Sequence, residues 1–170
     1  MSKTAFVVLA LLSCLLFPIA SKAQILPSGN VYGGVAYADS VNVVNRYTFR
    51  GWNASLEDIA FHRFTYLSLV ADGSGIYRPG IYQYNLVIGP RVFRNYGKWR
   101  VFADVMGGGQ QTHSSDNVFR TWVVDAGAGV DRKLPFKHFS WRLQFDYVHT
   151  QLLSATQNDY RGSTGIVWRF

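Results

Sequence analysis

The sequence predicts an all-β fold: eight antiparallel strands closed up-and-down into a barrel that spans a membrane. Three observations lead there. After residue 24 the chain repeats extended segments of about ten or more residues with period-two character, each ended by a short polar break. The breaks alternate between longer and tighter. Charged residues gather on the face that aromatic and branched aliphatic residues avoid, and no segment after residue 24 carries the apolar run of a membrane helix.

The first element is a leader. Lys3 gives a positive start, Ala5 to Ile19 is apolar with Pro18 near its end, and Ser21-Lys22-Ala23 is a small-x-small cleavage pattern. That apolar run is 15 residues long, short of the roughly 18 that a spanning helix needs. Residues 1–23 are therefore expected to be a cleaved signal peptide, and residues 24–170 one barrel domain. Cys14, the only cysteine, leaves with the leader, so the exported chain holds no disulfide. Lipidation at Cys14 would need a small residue where Leu12 stands. Loss of Lys3 and Lys22 lowers the formal charge from +7 to +5. The excess forms no basic stripe, which argues against nucleic acid and for attraction to anionic lipid headgroups.

The strands are expected at 30–38, 46–59, 64–73, 81–93, 98–110, 117–131, 139–152 and 159–170. Longer breaks fall at 39–45, 74–80, 111–116 and 154–158. Tighter turns fall at 60–63, 94–97 and 132–138, the second of them (RNYG) bearing the Asn and Gly that reach positive φ. An outer-membrane barrel alternates in this way, with turns in the periplasm and loops outside.

Side-chain alternation sets the faces. In the fourth segment Tyr82, Tyr84, Leu86, Ile88 and Val92 oppose Gln83, Asn85, Gly89 and Arg91; in the fifth, Trp99, Val101, Ala103 and Val105 oppose Arg100, Phe102 and Asp104. In the sixth, Trp122, Val124, Ala126, Ala128 and Val130 oppose Asp125, Gly127, Gly129 and Asp131. The seventh sets Phe139, Trp141, Leu143, Phe145 and Tyr147 against Ser140, Arg142, Gln144 and Asp146. In the eighth, Tyr160, Thr164, Ile166, Trp168 and Phe170 oppose Arg161, Ser163, Val167 and Arg169. A basic residue on the lipid face at the bilayer midplane costs roughly 2–4 kcal/mol, so the charged face is placed inside. With the chain starting in the periplasm, Trp99, Trp141, Trp168 and Phe170 then form an aromatic girdle at the periplasmic interface. Tyr82, Trp122, Tyr147 and Tyr160 form one at the outer interface.

Six stretches, GWNASL (Gly51–Leu56), LVADGSG (Leu69–Gly75), VIGPRVF (Val87–Phe93), AGAGVDRKL (Ala126–Leu134), FDYVHT (Phe145–Thr150) and STGIVWRF (Ser163–Phe170), resemble in order the strand motifs of small OmpA-like outer-membrane barrel proteins. The resemblance covers essentially all of residues 24–170. It implies an eight-stranded barrel in a Gram-negative outer membrane, among outer-membrane lipids and lipopolysaccharide, inserted by barrel-assembly machinery that reads a terminal aromatic, here Phe170. The sequence ends with the barrel segments, so a peptidoglycan tether is not carried over.

An eight-stranded barrel is just wide enough for side chains to fill. Asp72, Arg91, Asp104, Asp125, Arg142 and Asp146 are expected to form an ionic network inside it, with Asp131, Arg161 and Arg169 nearer the rims. The function expected is a structural or surface-interaction role without catalysis, cofactor or metal. The rival readings are a lipid A deacylase-like enzyme, a narrow ion-conducting barrel and a secreted lipocalin-like binder. The last requires an apolar cup and a wet exterior, the reverse of this polarity. For catalysis the candidates are Asp146 with His149, and His113 with Ser114 and Ser115. Asp146 and His149 are three residues apart, which puts them on opposite faces of a strand. No surface ligand is named by any motif.

Overall fold

The computed structural model describes residues 29–41, 46–58, 66–114, 117–152 and 155–170. Within them the strands β1 (Gly29–Val41), β2 (Arg46–Asp58), β3 (Leu67–Arg78), β4 (Ile81–Tyr96), β5 (Trp99–Ser114), β6 (Asn117–Lys133), β7 (Phe139–Leu152) and β8 (Ala155–Arg169) pair antiparallel with their neighbours. β1 pairs with β8, which closes the barrel. The expected leader, 1–23, and the turn at 60–63 lie outside the described residues.

Alternation of burial along each strand follows the alternation of side-chain type. In β4 every second residue from Gln83 to Phe93 is buried and the intervening ones are exposed. The exposed set is the apolar one: Leu86, Ile88 and Val92 here, Val101 and Val105 on β5, Leu143 and Phe145 on β7. β-Branched and aromatic side chains suit a pleated surface, and here that surface faces outward. Inside lie two small apolar clusters, one of Val70, Val87, Met106, Val123 and Val148 and one of Ala36, Ala38, Phe49 and Ile76. The rest is filled by polar and charged groups with the buried Tyr32, Phe93, Phe102 and Val167 among them.

Register sets the tilt. Following paired residues once around, from Val31 through Leu56, Ala71, Ile88, Gly107, Val124, His149 and Asn158, the path returns to β1 at Val41, ten residues further on. That stagger forces the strands to lean about 35–45° from the barrel axis. It also brings together inside the barrel residues that are far apart in sequence.

The structure corrects the expected loops. Polarity predicts loops at 74–80 and 111–116, yet β3 continues to Arg78 and β5 to Ser114. At the far end of β5 both faces carry polar side chains, so polarity stops marking the strand end. Strands of the length of β5, 16 residues, tilted at roughly 40° and rising roughly 3.3 Å per residue, run roughly 40 Å along the axis, well past an apolar band about 25 Å tall. At the end away from the termini residues 79–80 join β3 to β4, while 42–45, 115–116 and 153–154 lie outside the described residues. Pro79 and Gly80 (φ +79°) turn β3 into β4 with the Pro-Gly order of a type II turn. At the terminal end, β4 continues to Tyr96, so the turn is Gly97-Lys98 rather than 94–97, with Gly97 at φ +59°. Residues 134–138 join β6 to β7. There His138 takes a left-handed backbone (φ +73°), accepts from the Arg169 N–H at 2.8 Å and pins this turn to the end of β8.

Candidate functional site: the filled interior and its rims

Buried arginines dominate the interior. On the side of the termini, Glu57 of β2 accepts from Ser68 (2.7 Å) and ion-pairs with Arg91 (3.4 Å), Arg142 (3.7 Å) and, at closest range, Arg100. Arg91 also meets Asp104 at 2.6 Å. Arg142 grips Asp131 with two parallel hydrogen bonds of 2.7 and 3.0 Å, the fork geometry that suits a carboxylate. Arg169 reaches the same Asp131 at 3.2 Å. The guanidinium planes lie against aromatic rings: Arg91 at 4.1 Å and Arg142 at 4.6 Å from Phe102, Arg100 at 3.9 Å from Phe93. Stacking of this kind lets a guanidinium leave water while keeping a partner on its face as well as its edge.

A second cluster lies nearer the far end. Arg161 donates to Asp146 (2.9 Å), Asp125 (2.7 Å) and Ser74 (2.6 Å) and stands 3.5 Å from Asp72. Asn53 donates to Asp72 at 2.8 Å and Gln144 to Asp146 at 2.7 Å. The signs are unevenly shared. Three carboxylates face four arginines in the first cluster, whereas in the second three face Arg161.

The six residues expected to form an ionic network thus fall into both clusters: Arg91, Asp104 and Arg142 in the first, Asp72, Asp125 and Asp146 in the second. All six are buried. Arg161, expected near a rim because its strand was begun at 159, lies well inside, since β8 starts at Ala155. Glu57 and Arg100 are central to the first cluster and were not among the expected network residues. A signal for Glu57 was present: Asn53, Ser55 and Glu57 alternate with Trp52, Ala54 and Leu56.

The catalytic candidates are not brought together. Asp146 points inward to Arg161, while His149 lies on the outer face, 2.9 Å from the Asn158 side-chain oxygen and stacked on Tyr147. His113 packs edge-on against Tyr84 and beside Gln111, and Ser115 lies outside the described residues. Among the described residues no three His, Cys, Asp or Glu are placed to hold a metal ion.

At the terminal-end rim Trp99, Trp141, Trp168 and Phe170 are exposed on the outside, the last two with ring centres 5.2 Å apart. Tyr82, Trp122 and Tyr160 are exposed nearer the far end, and the half-buried Tyr147 lies 5.5 Å from Tyr160. The main chain of Phe170 exchanges two hydrogen bonds with Gly29, of 3.1 and 3.2 Å.

No protein-family model matches the sequence, and no curated protein matches it. Solved structures do. The chain is similar to Neisserial surface protein A (TM-score 0.70, 11% identity, 84% of this chain and 97% of that one). It is similar to Ail, the attachment invasion locus protein of Yersinia pestis (0.56, 14%, 85% and 99%). A third is the N-terminal β-barrel domain of Pseudomonas aeruginosa OprF (0.58, 10%, 85% and 98%). These are small eight-stranded outer-membrane β-barrels, and the likeness at such identities is one of fold.

Proposed function

We propose that this protein, exported by its leader, resides in a bacterial outer membrane as a small barrel with a filled interior and a structural or surface-interaction role, without catalysis. The observation that carries this reading is the inverted polarity. Arg91, Arg142 and Arg161 are at most 1% exposed, while Trp122 is 81%, Leu86 69% and Val35 66% exposed. Exposed apolar surface on that scale, wrapped around every strand, has lipid as its natural partner. The closed ladder supports the same reading, since a span without water must satisfy its backbone groups internally. Two clusters of paired side chains across the lumen favour a plugged barrel over a conducting one. The solved neighbours named as a surface protein and an attachment protein favour a surface role.

In this setting the terminal end faces the periplasm and the far ends of the strands face outward. Any surface contact is then made by strand ends, chiefly the β5–β6 hairpin with Gln111, Thr112, His113 and Asn117. The test is partition. Folded protein should remain with the membrane fraction and need detergent for extraction; a monodisperse, detergent-free soluble form of residues 24–170 would overturn the reading. Incubation with lipopolysaccharide should release no acyl chains, and release that His113→Ala or His149→Ala abolishes would replace it with the enzyme reading.

A further inference from the structure

The outer surface at the terminal end carries a feature the filled interior does not explain. Arg132 of β6 is paired on one side with Trp99 of β5 and on the other with Trp141 of β7, so an arginine sits in register between two tryptophans on the face that carries apolar side chains elsewhere. Its guanidinium carbon lies 5.2 Å from the Trp99 ring centre. Next to it the Lys133 N–H donates to the Lys98 carbonyl at 2.9 Å, tying the β4–β5 turn to the end of β6. Together these elements border a half-open cavity of about 570 Å³ lined by Lys98, Arg132, Lys133, Leu134, Pro135 and Trp141. That volume is in the range of small-ligand sites.

Among the described residues three cations and no carboxylate form this lining, and the carboxylate nearest along the strand, Asp131, is buried on the opposite face against Arg142. An uncompensated cation on a lipid-facing surface is tolerable at an interface, where headgroup phosphates are at hand. Indole rings prefer the same depth. Leu134, Pro135 and Trp141 add an apolar wall beside the charges.

We infer that this cavity binds the phosphate of an anionic phospholipid, with Lys98, Arg132 and Lys133 around the headgroup and Leu134, Pro135 and Trp141 against the top of the acyl stem. The inference rests on the outer-membrane reading, which places this rim at the periplasmic leaflet. Arg132 supplies a fork of donors held in place by Trp99, and the two lysines supply mobile point charges.

The experiment begins with insertion of the full barrel into phosphatidylcholine vesicles, read by its heat-modifiable gel mobility. The inserted protein is then transferred to detergent with equal phosphatidylglycerol and phosphatidylcholine, and bound lipid is counted by native mass spectrometry. Phosphatidylglycerol should be retained over phosphatidylcholine. Each cation replaced by glutamine should lower that preference by about fivefold at most, and Lys98→Gln/Arg132→Gln/Lys133→Gln together should nearly abolish it. Arg120→Gln, an exposed arginine towards the other end, should leave it unchanged. Equal retention of the two lipids, or an unchanged preference in a folded triple variant, overturns the site. Displacement of phosphatidylglycerol by equimolar inorganic phosphate overturns the lipid assignment. Failure to insert takes down the outer-membrane reading and the site with it, whereas insertion without lipid preference takes down the site alone.

Discussion

Replacing Arg161 with methionine isolates the cation that holds the second interior cluster. The substitution keeps most of the volume but removes donors to Asp146, Asp125 and Ser74, and the ion pair with Asp72. Those three aspartates are then left in a closed lumen without the guanidinium that pairs with all of them. Removing one partner of a buried pair costs about 3–5 kcal/mol, and three carboxylates around one vacated position argue for the upper part of that range. Arg169→Met is the comparison: Arg169 is 23% exposed, and its partner Asp131 keeps Arg142 and Arg100, so the loss should stay below about 1 kcal/mol. Both variants can be unfolded by urea in detergent micelles, followed by gel mobility and tryptophan fluorescence, with stability from linear extrapolation. A second substitution tests the cause. Asp125→Asn should stabilise the Arg161→Met background by about 1 kcal/mol or more while failing to stabilise the native chain, because it removes repulsion in one case and an ion pair in the other. An Arg161→Met loss within 1 kcal/mol of zero, or the same Asp125→Asn effect in both backgrounds, would refute the reasoning.

Glu57→Gln, which leaves Arg91, Arg100 and Arg142 short of an anion, should cost about 3–5 kcal/mol in the same titration; a loss under 1 kcal/mol would count against the first cluster as described. Gly165 faces Gly34 across the β1–β8 seam, and a Cβ there would run into the Gly33 carbonyl oxygen and the Gly34 Cα. Gly165→Val should therefore lower the folded yield severely, while Gly162→Ala, which meets nothing, should refold normally. Deletion of Phe170 removes its pair of hydrogen bonds with Gly29 and its ring from Trp168. Insertion into vesicles should fall further than after deletion of Asp116 from the β5–β6 connection, and equal insertion would argue against a terminal assembly role.

The faces were legible because the two sides of each strand differ in side-chain type: from Gln83 to Arg91, or Ser140 to Asp146, each polar residue has an apolar neighbour on either side, and burial follows that order. Strand ends were not legible where the apolar alternation stops. Thr112, His113 and Ser114 are strand residues with the composition of a loop, half-buried on both faces. Pairing inside the lumen was also beyond a reading of single strands. Arg161 meets Asp72, 89 residues away, and Arg142 approaches Ser55, 87 residues away, because a stagger of ten residues lays unlike heights of distant strands side by side. Alternation says which side chains point inward; the stagger decides which of them touch.

The β1–β8 seam differs from the other seven in one respect. Each of those joins consecutive strands, whereas β1 and β8 pair residues from 117 apart (Val41 with Asn158) to 139 apart (Asn30 with Arg169). Without that seam the same strands would form a ribbon with two bare edges, each a row of N–H and C=O groups. In hydrocarbon every such group left unpaired costs several kcal/mol. In the proposed membrane setting a half-closed state is thus expensive at any stage, and closure and insertion become a single event. The ring also offers no side door: a lipid or peptide could enter the lumen laterally only by breaking a complete ladder, so traffic with the interior is confined to its two mouths.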